Sequence, residues 1–348
     1  MVLACGHSFQ NVIEFRGVFQ TRSFHRPKIV ISKCFKFENV RYDGGVISSV
    51  FVKKLLPHVD SIPVCPEVEI GLGTPRDPLR IVLVEGKLRL IQPATNLDLT
   101  DKMAKFAGSF LDSLPEVDGF ILKSRSPTCA IKDAKVYAGI NRKVTPISKG
   151  AGFFGRAVLQ RFGDSAVEDE DRLRNARIRE HFLTKLFIIA SFREVKGSGS
   201  LRNLVGFHSE NKLLLKTYNQ KELRELGRIV ANQKRKTFAE TISDYEEHFH
   251  RALKKPPRCG SNTNVLMNAL GYFSNGLSKE EKSFFLDSLE KYRTGKLPFS
   301  VNISILKAWI IRFEEDYLAK QTLFEPYPED LMDIDAMTTY CDGKDYWK

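Results

Sequence analysis

Three short apolar segments in the first part of the chain each stop shortly before a cysteine. The segments cover residues 27–32, 61–64 and 119–122, and the cysteines that follow them are Cys34, Cys65 and Cys129. Short apolar runs rich in β-branched residues predict buried strands. Any fold of this chain must therefore bury three strands and place a thiol just beyond the end of each.

The segments between these strands show helix and hairpin patterns. Residues 44–56 and 100–114 have apolar residues at helical spacing, and residues 79–92 alternate around Glu85 and Gly86, which predicts a hairpin. This order predicts an α/β domain with a mostly parallel sheet and flanking helices. Ligands of such sheets bind beyond the carboxyl ends of the strands, so we expect the thiols to lie at a ligand site.

The second half of the chain has a different pattern. An acidic run at 168–171 leads into a long amphipathic stretch, residues 196–200 read as a flexible linker, and nearly everything after residue 201 has helical periodicity. We therefore predict an all-α C-terminal domain after the α/β domain. The expected division is an N-terminal extension at 1–26, the α/β domain at 27–165, a helical connector at 166–200, the all-α domain at 201–332 and an acidic tail at 333–348.

Composition narrows the class of protein. The chain has 348 residues and a net charge of +12, which favours polyanionic partners, nucleic acid first. Six cysteines are too few for a secreted disulfide scaffold of this length. No apolar run is long enough to span a bilayer, and no secretory signal is visible, so we predict a cytoplasmic protein that does not interact with membranes.

The spacing of the three thiols alone leaves three interpretations open. Cysteine packs as a small apolar residue, so all three could be core residues. They could bind zinc, although structural zinc usually takes four ligands and often uses local Cys pairs. They could also hold an iron–sulfur cluster, whose ligands are thiolates.

The sequences around the thiols carry a resemblance. The stretches SKCFKFENVRYDGG at 32–45, PVCPEVEIGLGTPR at 63–76 and LKSRSPTC at 122–129 resemble the motifs of the thiouracil desulfurase family, over about residues 27–165. Thr128 stands where the family usually has Ser, and Ala130 where it has Gly. Residues 201–332 resemble a helical domain often fused to the first, and the pair resembles the desulfidases that act on 4-thiouridine in tRNA.

The resemblance implies a cofactor and a reaction. Cys34, Cys65 and Cys129 would hold a 4Fe-4S cluster through three irons and leave the fourth iron open to a thiocarbonyl sulfur. The expected partner is tRNA or another thiolated uracil, which is converted hydrolytically to uracil with release of sulfide. Two alternatives stay open: a desulfurase of free thiouracil or thionucleosides, and a non-catalytic iron–sulfur or RNA-binding protein.

Such a reaction needs a base for the attacking water and donors for the ring. We predict Glu67 as the acid/base group and Ser124 and Ser126 as hydrogen-bonding groups, the alternative being that all three cap turns. The predicted substrate-binding residues are Arg41, Tyr42, Asp43 and Arg76. Asp43 could instead form the turn before the following glycines, and Arg76 could pair with Asp77 or Glu69.

One basic segment of the helical region is a candidate RNA contact. The predicted RNA-binding residues are Arg224, Arg228, Lys234 and Lys236. Clustered cations can follow a phosphate backbone. The alternative is an ordinary surface helix whose arginines pair with Glu222 or Glu225.

Overall fold

The computed structural model describes residues 22–35, 37–45, 47–141, 144–231 and 236–332. Nine strands are found in these residues, all of them in the first half of the chain. They are β1 Lys28–Ser32, β2 Asp60–Val64, β3 Arg80–Val84, β4 Lys87–Gln92, β5 Leu97–Asp98, β6 Gly119–Leu122, β7 Ala134–Tyr137, β8 Pro146–Gly150 and β9 Ala166–Asp169.

The first sheet contains the three strands that precede the cysteines. Its order is β2-β1-β6-β9, and every neighbouring pair is parallel. Ile29, Val30 and Ile31 of β1 have no exposed surface, which is the pattern of a central strand covered on both faces. The predicted parallel α/β arrangement is therefore confirmed, and the carboxyl ends of four strands lie at one edge.

The second sheet contains the predicted hairpin. Its order is β5-β4-β3-β7-β8, and it mixes antiparallel and parallel pairs. Glu85 and Gly86 both have positive φ, at 48° and 76°, as a two-residue turn between β3 and β4 requires. The sequence predicted one mostly parallel sheet, whereas the structure separates the strands into a parallel sheet and a mixed one.

The described residues form thirteen α-helices. They are α1 Val50–Leu55, α2 Pro66–Glu69, α3 Thr100–Ser113, α4 Phe153–Phe162, α5 Ala176–Gly197, α6 Leu201–Glu210, α7 Lys212–Tyr218, α8 Gln220–Ala231, α9 Phe238–Ala252, α10 Cys259–Phe273, α11 Lys279–Arg293, α12 Phe299–Phe313 and α13 Asp316–Ala319. The predicted all-α region after residue 201 is confirmed. Among the described residues, no helix combines the length and apolar character that crossing a bilayer requires.

The start of the predicted helical connector is wrong. We expected helix over 166–200, but Ala166–Asp169 forms β9, which pairs in parallel with β6 from Gly119 to Leu122. The strand was not predicted because an acidic run normally indicates an exposed segment, whereas the carboxylates of this strand are buried. Glu168 is 8% exposed and pairs with Arg172, and Asp169 accepts a hydrogen bond from the Arg172 N–H.

Helix α5 joins the two halves of the molecule. Its first half packs Phe182, Leu183 and Leu186 against β1, and its second half packs Ile188 and Phe192 into the helical core. Every residue from His181 to Ala190 is buried, so the middle of this helix is enclosed on all sides. The C-terminal segment also returns to the first half, where Leu331 packs in the same core as α1.

Candidate active site

A cavity of about 1000 Å³ opens at the carboxyl edge of the parallel sheet. Cys34 follows β1, Cys65 follows β2 directly and Cys129 lies in the loop after β6, and all three line this cavity. Glu170 and Asp171, which directly follow the fourth strand β9, also line the cavity. Residues 31 to 95 positions apart in sequence therefore line one cavity because parallel strands end at the same edge.

Burial raises the pKa of all three thiols. It raises the pKa of Cys129 to about 12, and it also raises that of Cys65 and of Cys34. For Cys34, the negative charges that Cys129 and Cys65 would carry raise the pKa further, so the three groups influence one another electrostatically. Three thiolates in this cavity require a positive charge among them, which bound metal supplies.

The thiols differ in their nearest partners. Cys65 Sγ lies 3.8 Å from the Val40 carbonyl oxygen and 4.0 Å from Nη2 of Arg76. Cys129 Sγ lies 3.6 Å from the Thr128 hydroxyl oxygen. The Lys123 ammonium lies close enough to Cys34 to lower its pKa against the larger effect of burial. Each sulfur thus has a hydrogen-bond donor or a cation nearby.

Glu67 lines the same cavity as the three thiols. It belongs to α2, which begins after Cys65, and it is 9% exposed. Its Oε1 accepts a hydrogen bond from Thr128 Oγ1 at 2.8 Å, and its Oε2 accepts one from Arg76 Nε at 2.7 Å. The carboxylate is therefore held in one orientation at the cavity wall.

Arg76 is an internal anchor of this wall. Besides Glu67, its guanidinium donates to the carbonyl oxygens of Val40 at 2.9 Å and Gly73 at 3.3 Å, and the side chain is only 6% exposed. The sequence predicted a contact with substrate or a pair with Asp77 or Glu69. The structure gives an ion pair with a different acid, Glu67.

Ser126 and Thr128 shape the turn that carries Cys129. Ser126 Oγ accepts hydrogen bonds from the N–H groups of Thr128 at 3.2 Å and Cys129 at 3.1 Å, and it lies 2.8 Å from Thr128 Oγ1. Because Thr128 donates its one hydroxyl proton to Glu67, Ser126 must donate to Thr128. The structure thus shows the turn-capping alternative for Ser126 and adds Thr128 as a contact that the sequence prediction missed.

The first turn of α4 supports the same loop. Gly152 N–H donates to the Ala130 carbonyl at 2.8 Å, and Gly155 N–H donates to the Thr128 carbonyl at 2.9 Å. A Cβ at Gly155 would lie 2.2 Å from the Ala130 oxygen, so this close approach requires glycine. The position of Cys129 therefore depends on two glycines that no motif singled out.

Ser124 is hydrogen-bonded to the acidic residues that follow β9. Its N–H and Oγ donate to Glu170 Oε2 and Oε1, both at 2.8 Å, and its Oγ also lies 3.0 Å from Asp171 Oδ2. Lys123 forms an ion pair with the same Glu170 and donates to Ser124 Oγ at 2.9 Å. The sequence did not predict Glu170 and Asp171 as cavity residues, because the acidic run was interpreted as the lead into a helix. Predicting β9 as a strand of the parallel sheet would have placed both residues at the carboxyl edge.

The predicted substrate residues after Cys34 lie at the mouth of the cavity. Arg41 and Tyr42 both line it, with the Arg41 guanidinium 5.7 Å from the Tyr42 ring centre. Asp43 pairs with Arg41 at 3.0 Å and accepts the Gly45 N–H at 3.0 Å. Asp43 therefore forms the turn before the glycines, the alternative left open by the sequence.

The predicted RNA-binding residues lie far along the chain on α8 and the segment after it. Arg224 and Arg228 are exposed, and Arg228 pairs with Glu225 at 2.7 Å. Lys236 pairs with Asp244, and Lys234 lies outside the described residues. Two of the three described cations are thus already paired with acids on the protein surface.

The donor set distinguishes between kinds of metal centre. Among the described residues, no three His, Cys, Asp or Glu side chains converge on a point where all could bind one metal ion. The thiols instead come from three separate loops around one cavity, and thiolates are the ligands of iron–sulfur clusters. These residues fit a multi-atom cluster better than a single zinc ion.

Comparison with known proteins gives a family for each half of the chain. Residues 29–170 match the 2-thiouracil desulfurase family, and residues 212–328 match a protein family of unknown function, DUF1722. A solved [4Fe-4S]-dependent thiouracil desulfidase, TudS, is 30% identical; the match covers 43% of this chain and 94% of TudS, with a TM-score of 0.33.

Two curated relatives are both described as uncharacterized proteins. YbgA of Escherichia coli K12 is 26% identical over 172 residues, which cover 49% of this chain and 92% of YbgA. YbbK of Bacillus subtilis 168 is 25% identical over 151 residues, which cover 40% of this chain and 98% of YbbK. The chain therefore belongs to the 2-thiouracil desulfurase family through its α/β half, with the DUF1722 domain following in the same polypeptide.

Proposed function

We propose that this protein is an iron–sulfur-dependent desulfidase that removes sulfur from a thiolated uracil, with 4-thiouridine in tRNA as its substrate. The observation that carries the proposal is the meeting of three thiols with a buried, oriented carboxylate in one cavity. Cys34, Cys65 and Cys129 line that cavity together with Glu67. Membership of the desulfurase family and the [4Fe-4S] dependence of the solved relative TudS support it.

The three thiols would hold a 4Fe-4S cluster. When bound through three cysteines, such a cluster supplies one iron without a protein ligand, to which a soft thiocarbonyl sulfur can bind. Arg76 and Lys123 lie near Cys65 and Cys34, where their charges offset the negative charge of the thiolates. The protein residues around the site then orient the ring and move protons.

Glu67 is the base in this account. One of its carboxylate oxygens takes a proton from the water that attacks the ring carbon bearing sulfur. Thr128 and Arg76 fix the orientation of the carboxylate through hydrogen bonds of 2.8 Å and 2.7 Å. Ser126 supports Thr128, so the three side chains form one hydrogen-bonded chain that ends on Glu67.

The reaction balances without an electron donor. Water adds oxygen to the ring carbon, the bond between carbon and sulfur breaks, and both protons of the water leave with the sulfur as hydrogen sulfide. Because no redox partner is needed, the residues that line the cavity suffice for acid–base chemistry. The second protein half is then available for recognition of a large substrate.

The experiment is a desulfuration assay under anaerobic conditions. The cluster is reconstituted, and tRNA containing 4-thiouridine or free 4-thiouracil is added while thiocarbonyl absorbance and released sulfide are followed. We expect both substrates to lose sulfur, tRNA with the higher kcat/KM, and Cys34→Ala, Cys65→Ala and Cys129→Ala each to abolish the reaction. Full activity of any of these variants, or a loaded cluster that releases no sulfide from either substrate, would overturn the proposal.

A further inference from the structure

Four exposed or half-exposed cations surround the mouth of the thiol cavity. Arg41, Lys54, Arg125 and Arg174, here called the mouth cations, come from the loop after β1, from α1, from the loop after β6 and from the turn after β9. The side chains of Arg125 and Arg174 are 72% and 82% exposed. Four separate elements thus present positive charge at one opening.

Nearby acids neutralise only part of this charge, because Asp43 pairs with Arg41 at 3.0 Å and one further acid serves two arginines. Asp171 is shared between Arg125 at 2.6 Å and Arg174 at 3.6 Å. Lys54 has no ion pair with any described residue. Over the whole lining, seven Lys and Arg side chains face three carboxylates, so the cavity carries a net positive charge. A cleft lined with one sign of charge concentrates ligands of the opposite sign.

The mouth also presents an exposed aromatic ring. Tyr42 is 46% exposed and stands beside Arg41. Sites for single-stranded nucleic acid combine cations that follow the backbone with aromatic rings on which bases stack. The cavity volume of about 1000 Å³ equals the upper end for drug-sized ligands, so a single pyrimidine ring leaves most of it unfilled.

The basic face of the helical domain contrasts with this mouth. On α8, Arg228 pairs with Glu225, while Glu222 pairs with His248 and Arg251 across to α9. These pairs fix the two helices to each other and reduce the charge available to a phosphate backbone. Among the described residues, the charge imbalance is therefore greater at the mouth.

We propose that the mouth cations bind the RNA phosphates that flank the thiolated base, so that the catalytic half, rather than α8, holds the strand being modified. This inference rests on the proposed function for the identity of the substrate, and it adds the protein surface along which the RNA strand would run. A flipped or splayed nucleotide costs a few kcal/mol to extrude, and phosphate contacts at the mouth offset that cost.

Binding of unmodified tRNA tests the inference without any chemistry. The double variant Lys54→Glu and Arg174→Glu is compared with a matched double variant, Arg224→Glu and Arg228→Glu, which changes the net charge by the same amount. We expect the mouth variant to weaken tRNA binding about tenfold and to reduce the slope of log K against log salt by about 2, because each lost phosphate contact removes about 1. The α8 variant should change binding less than about threefold.

Thermal unfolding of both variants shows whether the substitutions leave the fold intact. A mouth variant that folds and binds tRNA as wild type does would overturn the inference, as would an equal or larger loss in the α8 variant. Since the tRNA is unmodified and no sulfide is measured, this outcome is independent of whether the protein is a desulfidase. In the desulfuration assay, the ratio of kcat/KM for tRNA to that for free 4-thiouracil should fall in the mouth variant.

Discussion

The thiol cavity and the helical core each contain a buried carboxylate, and the two carboxylates differ in what surrounds them. Glu67 and Glu222 are both 9% exposed, and each pairs with a cationic or ionisable side chain at 2.7 Å, Arg76 and His248 respectively. Glu67 faces a large cavity with three thiols, whereas Glu222 joins α8 to α9. Burial and pairing alone therefore do not identify a catalytic carboxylate, and the role proposed for Glu67 rests on its position at the edge of the sheet.

The two regions also differ in what fills their interiors. The helical core packs aromatic rings against one another, with Phe249 4.7 Å from Phe192 and 5.7 Å from Phe207 between ring centres. The wall of the cavity instead combines hydroxyls, carboxylates and thiols with apolar side chains such as Leu79 and Leu173. The packing of the helical core stabilises the fold, whereas the thiol cavity holds the groups of the proposed reaction. Each prediction below tests this difference between the two regions.

The largest expected effect is on turnover, in the cavity. Glu67→Gln keeps the size of the side chain but removes the base, so we expect the desulfuration rate to fall about 10²- to 10⁴-fold. Glu222→Gln is the matched control, with the same burial in the other region. Its rate should stay within about twofold of wild type, and a comparable loss in both variants would remove the distinction between the two carboxylates.

The corresponding test of the helical core is Phe249→Ala. Phe249 has no exposed surface and contacts several other rings, so its truncation should lower the free energy of unfolding by about 3–5 kcal/mol in urea titrations. Phe284→Ala, at a side chain that is 62% exposed, should change it by less than about 0.5 kcal/mol. A tenfold fall in kcat of folded Phe249→Ala protein would show that the core is part of the catalytic apparatus.

A smaller effect concerns acid stability of the helical domain. Burial lowers the pKa of His208 to about 4, below its ordinary value near 6.5, and its Nδ1 lies 3.1 Å from the Tyr245 hydroxyl. The unfolded state therefore binds more protons between these values, so the free energy of unfolding should fall by about 2 kcal/mol as the pH drops from 7 to 4.5. His208→Gln should flatten part of this dependence, and an unchanged pH profile would contradict the assignment.

The smallest effects come from two glycines. Gly155→Ala should destabilise by about 1–3 kcal/mol, because the new Cβ would lie 2.2 Å from the Ala130 oxygen and 2.7 Å from the Cys129 oxygen. Gly206→Ala, inside α6 where the new Cβ would meet nothing within 4 Å beyond the adjacent residues and backbone of its own helix, should stabilise by about 0.5–1 kcal/mol. Calorimetry measures both, and a stabilising Gly155→Ala would mean that the thiol loop is looser than described.

The sequence was sufficient to predict those features of the fold that depend on local residue patterns. Apolar β-rich runs identified β1, β2 and β6, and chain topology then placed the thiols at one edge, because parallel strands share their direction. The Glu85-Gly86 turn was equally local. The assignment of the thiols to a cluster, by contrast, came from resemblance to a family rather than from their spacing.

The features that the sequence did not predict depend on distant contacts. Ser124 meets Glu170 across 46 positions, and nothing near either residue indicates the pair. The β9 strand was hidden because its acidic residues are buried through partners such as Arg172, which no periodicity reveals. The partners of Arg76 and Ser126 likewise became visible only in three dimensions, where Arg76 pairs with Glu67 and Ser126 caps the turn of Cys129.

The central claim is that Cys34, Cys65 and Cys129 together hold one cluster. The most direct measurement is the iron and acid-labile sulfide content after anaerobic reconstitution, with the absorption spectrum, for wild type and for Cys34→Ser, Cys65→Ser and Cys129→Ser. The account predicts the full content of one [4Fe-4S] cluster in wild type and a clear loss of iron in each single variant. Wild-type iron in any one of the three would contradict it.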